Sequence, residues 1–313
     1  MPPKADIRLK LSKRAANDPS QTSPTFIAKN MVGKTMNKRI IVITMLVLFG
    51  CDESANQPAT TLTSGEPVAP AIVGEEIAYD VNGVSMTGYL AYDRSQTGQR
   101  PGVLIVHEWW GHNDYVRRRA EMLAGLGYTA FALDMYGDRK QADHPADAQR
   151  FMMEVLNNMS VGESRFRAAR MLLEEHATTD ASRTAAIGYC FGGGIVLHMA
   201  RLGADLKGVA SFHGTLATAT PSEAGSISTK LLVAHGADDP FVPEDEVEAF
   251  KQEMAEAGAD MKFIAYPGAV HAFTNPAATA MGEKHGLPLA YNETADTESW
   301  AELESFLREV FTE

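Results

Sequence analysis

The stretch "AAIGYCFGGGIVLHMA", residues 185–200, decides the fold. Ala185, Ala186 and Ile187 read as the end of a buried strand, and Ile195, Val196, Leu197, Met199 and Ala200 as one face of a helix. Between them, Gly188-Tyr189-Cys190-Phe191-Gly192 has the G-x-nucleophile-x-G spacing of a strand-to-helix elbow, with a cysteine where such turns usually carry serine. The glycines have a steric reason. A turn this tight presses backbone against backbone, and a Cβ at either flank would collide.

The flanking sequence alternates in the same way. Strands are predicted at 102–106, 129–133, 184–188, 207–212, 230–235 and 261–265. Helices are predicted at 115–126, 146–156, 163–176, 193–201, 244–257 and 298–311. Ser160 with Glu163 reads as a capping box, and Gly258 as a C-terminal stop. "EEIAYDVNGVSMTGYLAYD" alternates apolar and polar residues around Asn82-Gly83, a short hairpin signal, with order expected from about Glu75. Short apolar strands between amphipathic helices imply an α/β fold: a mostly parallel twisted sheet with helices on both faces and an N-terminal hairpin.

The chain has 313 residues, enough for one large α/β domain at 73–313. Its net charge is −12, yet residues 1–50 hold nine Lys/Arg against two Asp/Glu, which leaves −19 on the remainder. So acidic a body argues against nucleic acid as a partner. The basic head reads as an upstream extension plus signal peptide, with Met36 as the expected start of translation. Lys38 and Arg39 precede the apolar run 40–49, too short to span a bilayer, and then Gly50-Cys51. Leu48-Phe49-Gly50-Cys51 resembles a bacterial lipobox, in which Cys51 is lipidated. The chain is then expected on the periplasmic side of the bacterial envelope, touching membrane only through that anchor; without the signal it would be cytoplasmic. Residues 51–72, rich in Pro, Thr, Ser and Ala, read as a flexible tether.

Cys51 and Cys190 are the only cysteines. With Cys51 lipidated, Cys190 has no disulfide partner, and an unused thiol in an oxidising compartment is a liability. Ligands of open parallel sheets bind beyond the carboxyl ends of the strands. There the predicted strands end on His107-Glu108-Trp109-Trp110, on Cys190, on His213, on Asp238-Asp239 and, after a short turn, on His271. Thiol, carboxylate and imidazole follow one another in the nucleophile–acid–base order of α/β-hydrolases. Each alone has a plainer reading: a buried hydrophobe for Cys190, a turn residue for Asp239 with Asp238 competing, a loop histidine for His271. "HEWWGH" misses the zinc spacing H-E-x-x-H by one residue, and a dinucleotide loop starting at Gly188 would need glycine at Cys190. No metal or organic cofactor is called for.

"HEWWGHNDYVRRRAEMLAGLGYTAFALDMYGD", "IGYCFGGG", "HGADDPFVPEDEV" and "YPGAVHAF" together resemble the dienelactone hydrolase family across roughly residues 75–311. The resemblance implies an α/β-hydrolase fold with Cys190 as nucleophile, His271 as base and Asp239, not Asp238, as the acid. It further implies Glu108 as a carboxylate contacting the resting thiol, and the N–H groups of Trp109 and Phe191 as the oxyanion hole. Trp110, Tyr189, His213 and Asn275 are then placed around the substrate pocket. Members acting on dienelactone carry an arginine four residues after the histidine to hold the substrate carboxylate. This chain has Asn275 there, leaving Arg150 or another loop arginine as the alternative clamp.

The expected reaction is hydrolysis of a carboxylic ester or lactone through a thioester acyl-enzyme. A thiolate is itself a good leaving group, so an ester is a better substrate than a peptide. Two other classes compete: a thiol redox protein working through a sulfenic acid, which has no use for Asp239 and His271, and a non-catalytic lipoprotein binding module on the same fold. The oligomeric state is left open.

Overall fold

The computed structural model describes residues 69–312. The upstream extension, the signal sequence, Cys51 and the tether up to residue 68 lie outside them. Asn82 and Gly83 both take positive φ, 54° and 81°. That is the two-residue turn that matches the twist of a hairpin, and it joins β1 (Ile72–Val81) to β2 (Val84–Asp93) with Val81 opposite Val84. β1 starts at Ile72, three residues before the expected onset of order.

β2 also pairs antiparallel with β4 (Thr129–Leu133). Every later pairing is parallel: β4 with β3 (Arg100–Val106), β3 with β5 (Thr179–Tyr189), then β6 (Gly208–Phe212), β7 (Lys230–Gly236) and β8 (Met261–Tyr266). The eight strands run β1-β2-β4-β3-β5-β6-β7-β8. Alternation along each strand supplies two cores. Leu104 and Val106 join one, with α2 (Pro145–Leu156), α3 (Met159–Glu175), α4 (Phe191–Arg201) and α5 (Glu244–Glu256). Val103 and Ile105 join the other, with α1 (Asp114–Gly125) and α7 (Glu293–Thr312). These four strand residues are fully buried, each contributing roughly 1.5–3 kcal/mol by leaving water.

Some boundaries depart from expectation. β5 begins five residues early because Arg100 and Pro101 pair with Thr179 and Asp180 across a bulge, a pairing the polar stretch Asp180-Ala181-Ser182-Arg183 does not announce. The capping box is absent. α3 starts at Met159 with Asn158 as N-cap, the Ser160 hydroxyl donates to the Asn158 side chain, and Glu163 turns to His198 at 3.1 Å. A seventh helix, α6 (Ala278–His285), was not expected; its eight residues have too little apolar periodicity to stand out. Gly258 does stop α5, at φ 69° just beyond the cap residue Ala257.

Candidate active site

The end of β5 becomes the start of α4 through a single residue. Cys190 has φ 54° and ψ −118°, a conformation costing a non-glycine residue about 1–3 kcal/mol. Its own backbone bonds hold it there: its N–H is shared between the Phe212 carbonyl (3.0 Å) and His213 Nδ1 (3.1 Å), and its carbonyl accepts from Gly194 (3.2 Å). The glycine argument is met at both flanks. A Cβ on Gly188 would lie 2.1 Å from the Gly192 carbonyl, and one on Gly192 would lie 2.3 Å from the Val106 carbonyl. The second contact also shows that the elbow leans directly on the end of β3.

His271 hangs from the loop after β8. Its Nδ1 lies 2.8 Å from Asp239 Oδ2, on the loop after β7. The other oxygen, Asp239 Oδ1, accepts from the Phe241 N–H at 2.9 Å, so the carboxylate is held at both ends and its side chain is fully buried. The neighbouring Asp238 is exposed. Burial alone pulls the His271 imidazole down, but the Cys190 charge opposite, the hydrogen bonds to Asp239 and Cys190 and the Asp239 charge outweigh it and push it up to about 10. Imidazole and carboxylate are thus hydrogen-bonded across two strand ends, and the Cys190 thiol, from a third, acts on the same imidazole. Phe241, half exposed, stands edge-on to the imidazole at 5.1 Å.

The end of β3 brings in the fourth expected group, with a different partner. Glu108 is buried, and its Oε2 accepts from Asn275 Nδ2 at 2.6 Å; among the described residues no hydrogen bond joins it to the Cys190 thiol. Asn275 is thereby committed to Glu108 and is not a free pocket residue. Burial pushes Glu108 up to about 7, against the opposing pull of the Asn275 bond and of the His271 and Arg119 charges. The N–H groups of Trp109 and Phe191 are taken by no acceptor among the described residues. The Trp109 peptide is held from below by the Tyr136 hydroxyl, which donates to its carbonyl at 3.0 Å.

Other placements need correcting. Tyr189 is fully buried, stacked on Phe212 in the α1–α7 core, and does not line a pocket. Its position next to Cys190 in sequence hides the alternation that turns it inward. His213 is also fully buried; it supports the elbow through Nδ1 and bonds Thr274 Oγ1 through Nε2 at 2.7 Å. Trp110 is buried behind the half-buried Trp109, whose ring centroid is 4.9 Å away. Arg150 lies exposed on α2, paired with Asp147 and Glu154, so it supplies no clamp. His107 and His112 are each tied to backbone, at the Met135 N–H and the Ala132 carbonyl.

Two supporting residues escaped sequence reading. Arg119, buried on α1, donates to the Thr274 carbonyl at 2.7 Å and pairs with Asp296 of α7, which braces the His271 loop. Tyr136 is the other. The available signal for the first is spacing, since Arg119 falls on the apolar stripe of Val116, Ala120 and Leu123; nothing in "DMYGD" singles out the second.

The sequence model of the dienelactone hydrolase family matches residues 86–311. Among sequence relatives, Protein usf of Aquifex pyrophilus is 31% identical over 208 residues, 65% of this chain and 88% of its own length. An Aquifex aeolicus protein bearing the name carboxymethylenebutenolidase is 28% identical over 208 residues, with the same shares. Among solved structures, a dienelactone hydrolase-like promiscuous phosphotriesterase from metagenomic libraries superposes with a TM-score of 0.73 at 35% identity, over 77% of this chain and 99% of that one. A Klebsiella pneumoniae protein described as a dienelactone hydrolase shares the fold at 24% identity and a TM-score of 0.64, over 76% of this chain and 99% of that one.

Proposed function

The chain belongs to the dienelactone hydrolase family, and from that premise we propose that it hydrolyses neutral carboxylic esters or lactones through Cys190, His271 and Asp239. The observation that carries this reading is the buried 2.8 Å contact between His271 and Asp239, with the thiol that raises the same imidazole set on a strained elbow. The thiol proton passes to His271, and the thiolate adds to the ester carbonyl. The oxyanion is met by the Trp109 and Phe191 N–H groups, each worth about 3 kcal/mol in sites of this kind. Collapse expels the alcohol, which takes the proton from His271, and leaves a thioester. Water, losing its proton to the same imidazole, then attacks the thioester and releases the acid and Cys190.

The test is turnover of a chromogenic acetyl ester by the purified protein. Activity abolished by Cys190→Ala with the fold intact supports the reading; activity that survives that change overturns it. The lead residues support a second element of the reading: export, with the mature chain starting at lipidated Cys51 on the periplasmic side. Intact-mass spectrometry after expression in a lipoprotein-processing host decides it, since an unmodified chain retaining residues 36–50 contradicts it.

A further inference from the structure

Asn275 occupies the place where relatives acting on dienelactone put a substrate-binding cation, yet its side chain is fully committed within the protein. Its Oδ1 accepts from the Ala277 N–H at 3.0 Å, at the turn into α6. Only the amide nitrogen is then left to face Glu108 Oε2, which it does at 2.6 Å, and both residues are buried. The orientation of the amide is therefore set by its two partners. Glu108 has no cation within ion-pair distance among the described residues. Its carbonyl accepts from His107 Nδ1, at 2.6 Å, and its backbone leads into the Trp109 N–H.

We propose that Asn275 is a positioning residue: it pins the Glu108 carboxyl beside the thiol–imidazole pair and, by donating to it, favours its charged form. The proposal rests on Cys190 and His271 being the reacting pair. A carboxylate that accepts a hydrogen bond is stabilised against protonation, and a buried one without a donor becomes neutral. The groups facing Glu108 are His271 from the loop after β8, Arg119 and Tyr115 from α1, Tyr189 at the end of β5 and His107 at the end of β3. Arg119 stays charged because it is paired with Asp296, and burial keeps both tyrosines and His107 neutral. Near neutral pH, Glu108 is then the group in this set whose charge changes, and Asn275 tunes where. Burial places that change at about 7.

The experiment is the pH dependence of Cys190 alkylation by iodoacetamide, with kcat/KM for a neutral ester followed in parallel. The parent should show an inflection near pH 7 that Glu108→Gln removes. Asn275→Ala should move it up by about one pH unit, the worth of one hydrogen bond to a charged group. In the Glu108→Gln background, Asn275→Ala should add less than about twofold, because one residue acts through the other. Asn275→Asp keeps the bond to Ala277 and changes only the side facing Glu108, so it serves if the alanine variant does not fold; it too should move the inflection up. An inflection that survives Glu108→Gln, or an effect of Asn275→Ala equal in both backgrounds, overturns the proposal. Activity surviving Cys190→Ala instead overturns the catalytic reading beneath it.

Discussion

Two buried carboxyl groups flank one imidazole. Asp239 faces His271 Nδ1 at 2.8 Å and the Phe241 N–H at 2.9 Å. Glu108 faces a neutral amide at 2.6 Å, and burial pushes it up to about 7. Both are below 5% exposed, so burial does not separate them. The partner does. A carboxylate opposite an imidazole can share a charge with it, whereas one opposite an amide must bear the cost of its own ionisation in a low-dielectric site. The first arrangement holds an imidazolium in place; the second makes a carboxyl whose charge depends on the pH around it.

The sharpest way to break the comparison is to neutralise Asp239. Asp239→Asn should lower kcat/KM by ~10³–10⁴-fold, because the imidazole loses both its countercharge and its fixed tautomer. A loss of tenfold or less in a folded variant would make the two carboxyls equivalent. The substrate's charge probes the other side. Asn275 is occupied, Arg150 is paired on the surface and Arg119 is paired with Asp296, so none of the three offers a free clamp. A neutral lactone should be turned over about tenfold better than a carboxylate-bearing counterpart, a difference of the size that one charge-assisted pair makes. A preference for the anion, unchanged by Asn275→Ala, would place a cation at the site.

His271 supplies the pH test on the Asp239 side. Its folded value, about 10, lies above its ordinary 6.5. The imidazolium is present below that value and lost as pH rises through it. The base limb of the kcat/KM profile should therefore sit near pH 10 and move down in Asp239→Asn. Glu108 supplies the converse through stability. Its folded value is raised from 4.5 to about 7, so the folded state binds more protons than the unfolded one between those values, and stability falls as pH rises across them. Glu108→Gln removes that loss. Relative to the parent it should be more stable at pH 8 than at pH 4 by about 3 kcal/mol, read by chemical denaturation. An equal difference at both pH values would show Glu108 ionising freely. The smallest effect belongs to Asp238→Asn: the side chain is exposed, and kcat/KM should change by less than about twofold.

Local patterns in the sequence were enough to read the elbow, the hairpin turn and the parallel strands, because each leaves a short-range mark: paired glycines around Cys190, positive φ at Asn82-Gly83, apolar runs along the strands. The order Cys190, Asp239, His271 along the chain was legible for the same reason, since parallel strands deliver their ends to one edge of the sheet. What only the tertiary structure decided is which polar atom faces which. Asn275 and Glu108 are 167 residues apart and meet because β3 and the loop before α6 converge on one imidazole. Tyr189 and His213 lie at the ends of β5 and β6 yet turn into the core, where Phe212 and Thr274 receive them. Spacing along a chain sets the face a side chain leaves from; the elements that pack against that face set its partner, and the partner sets its charge.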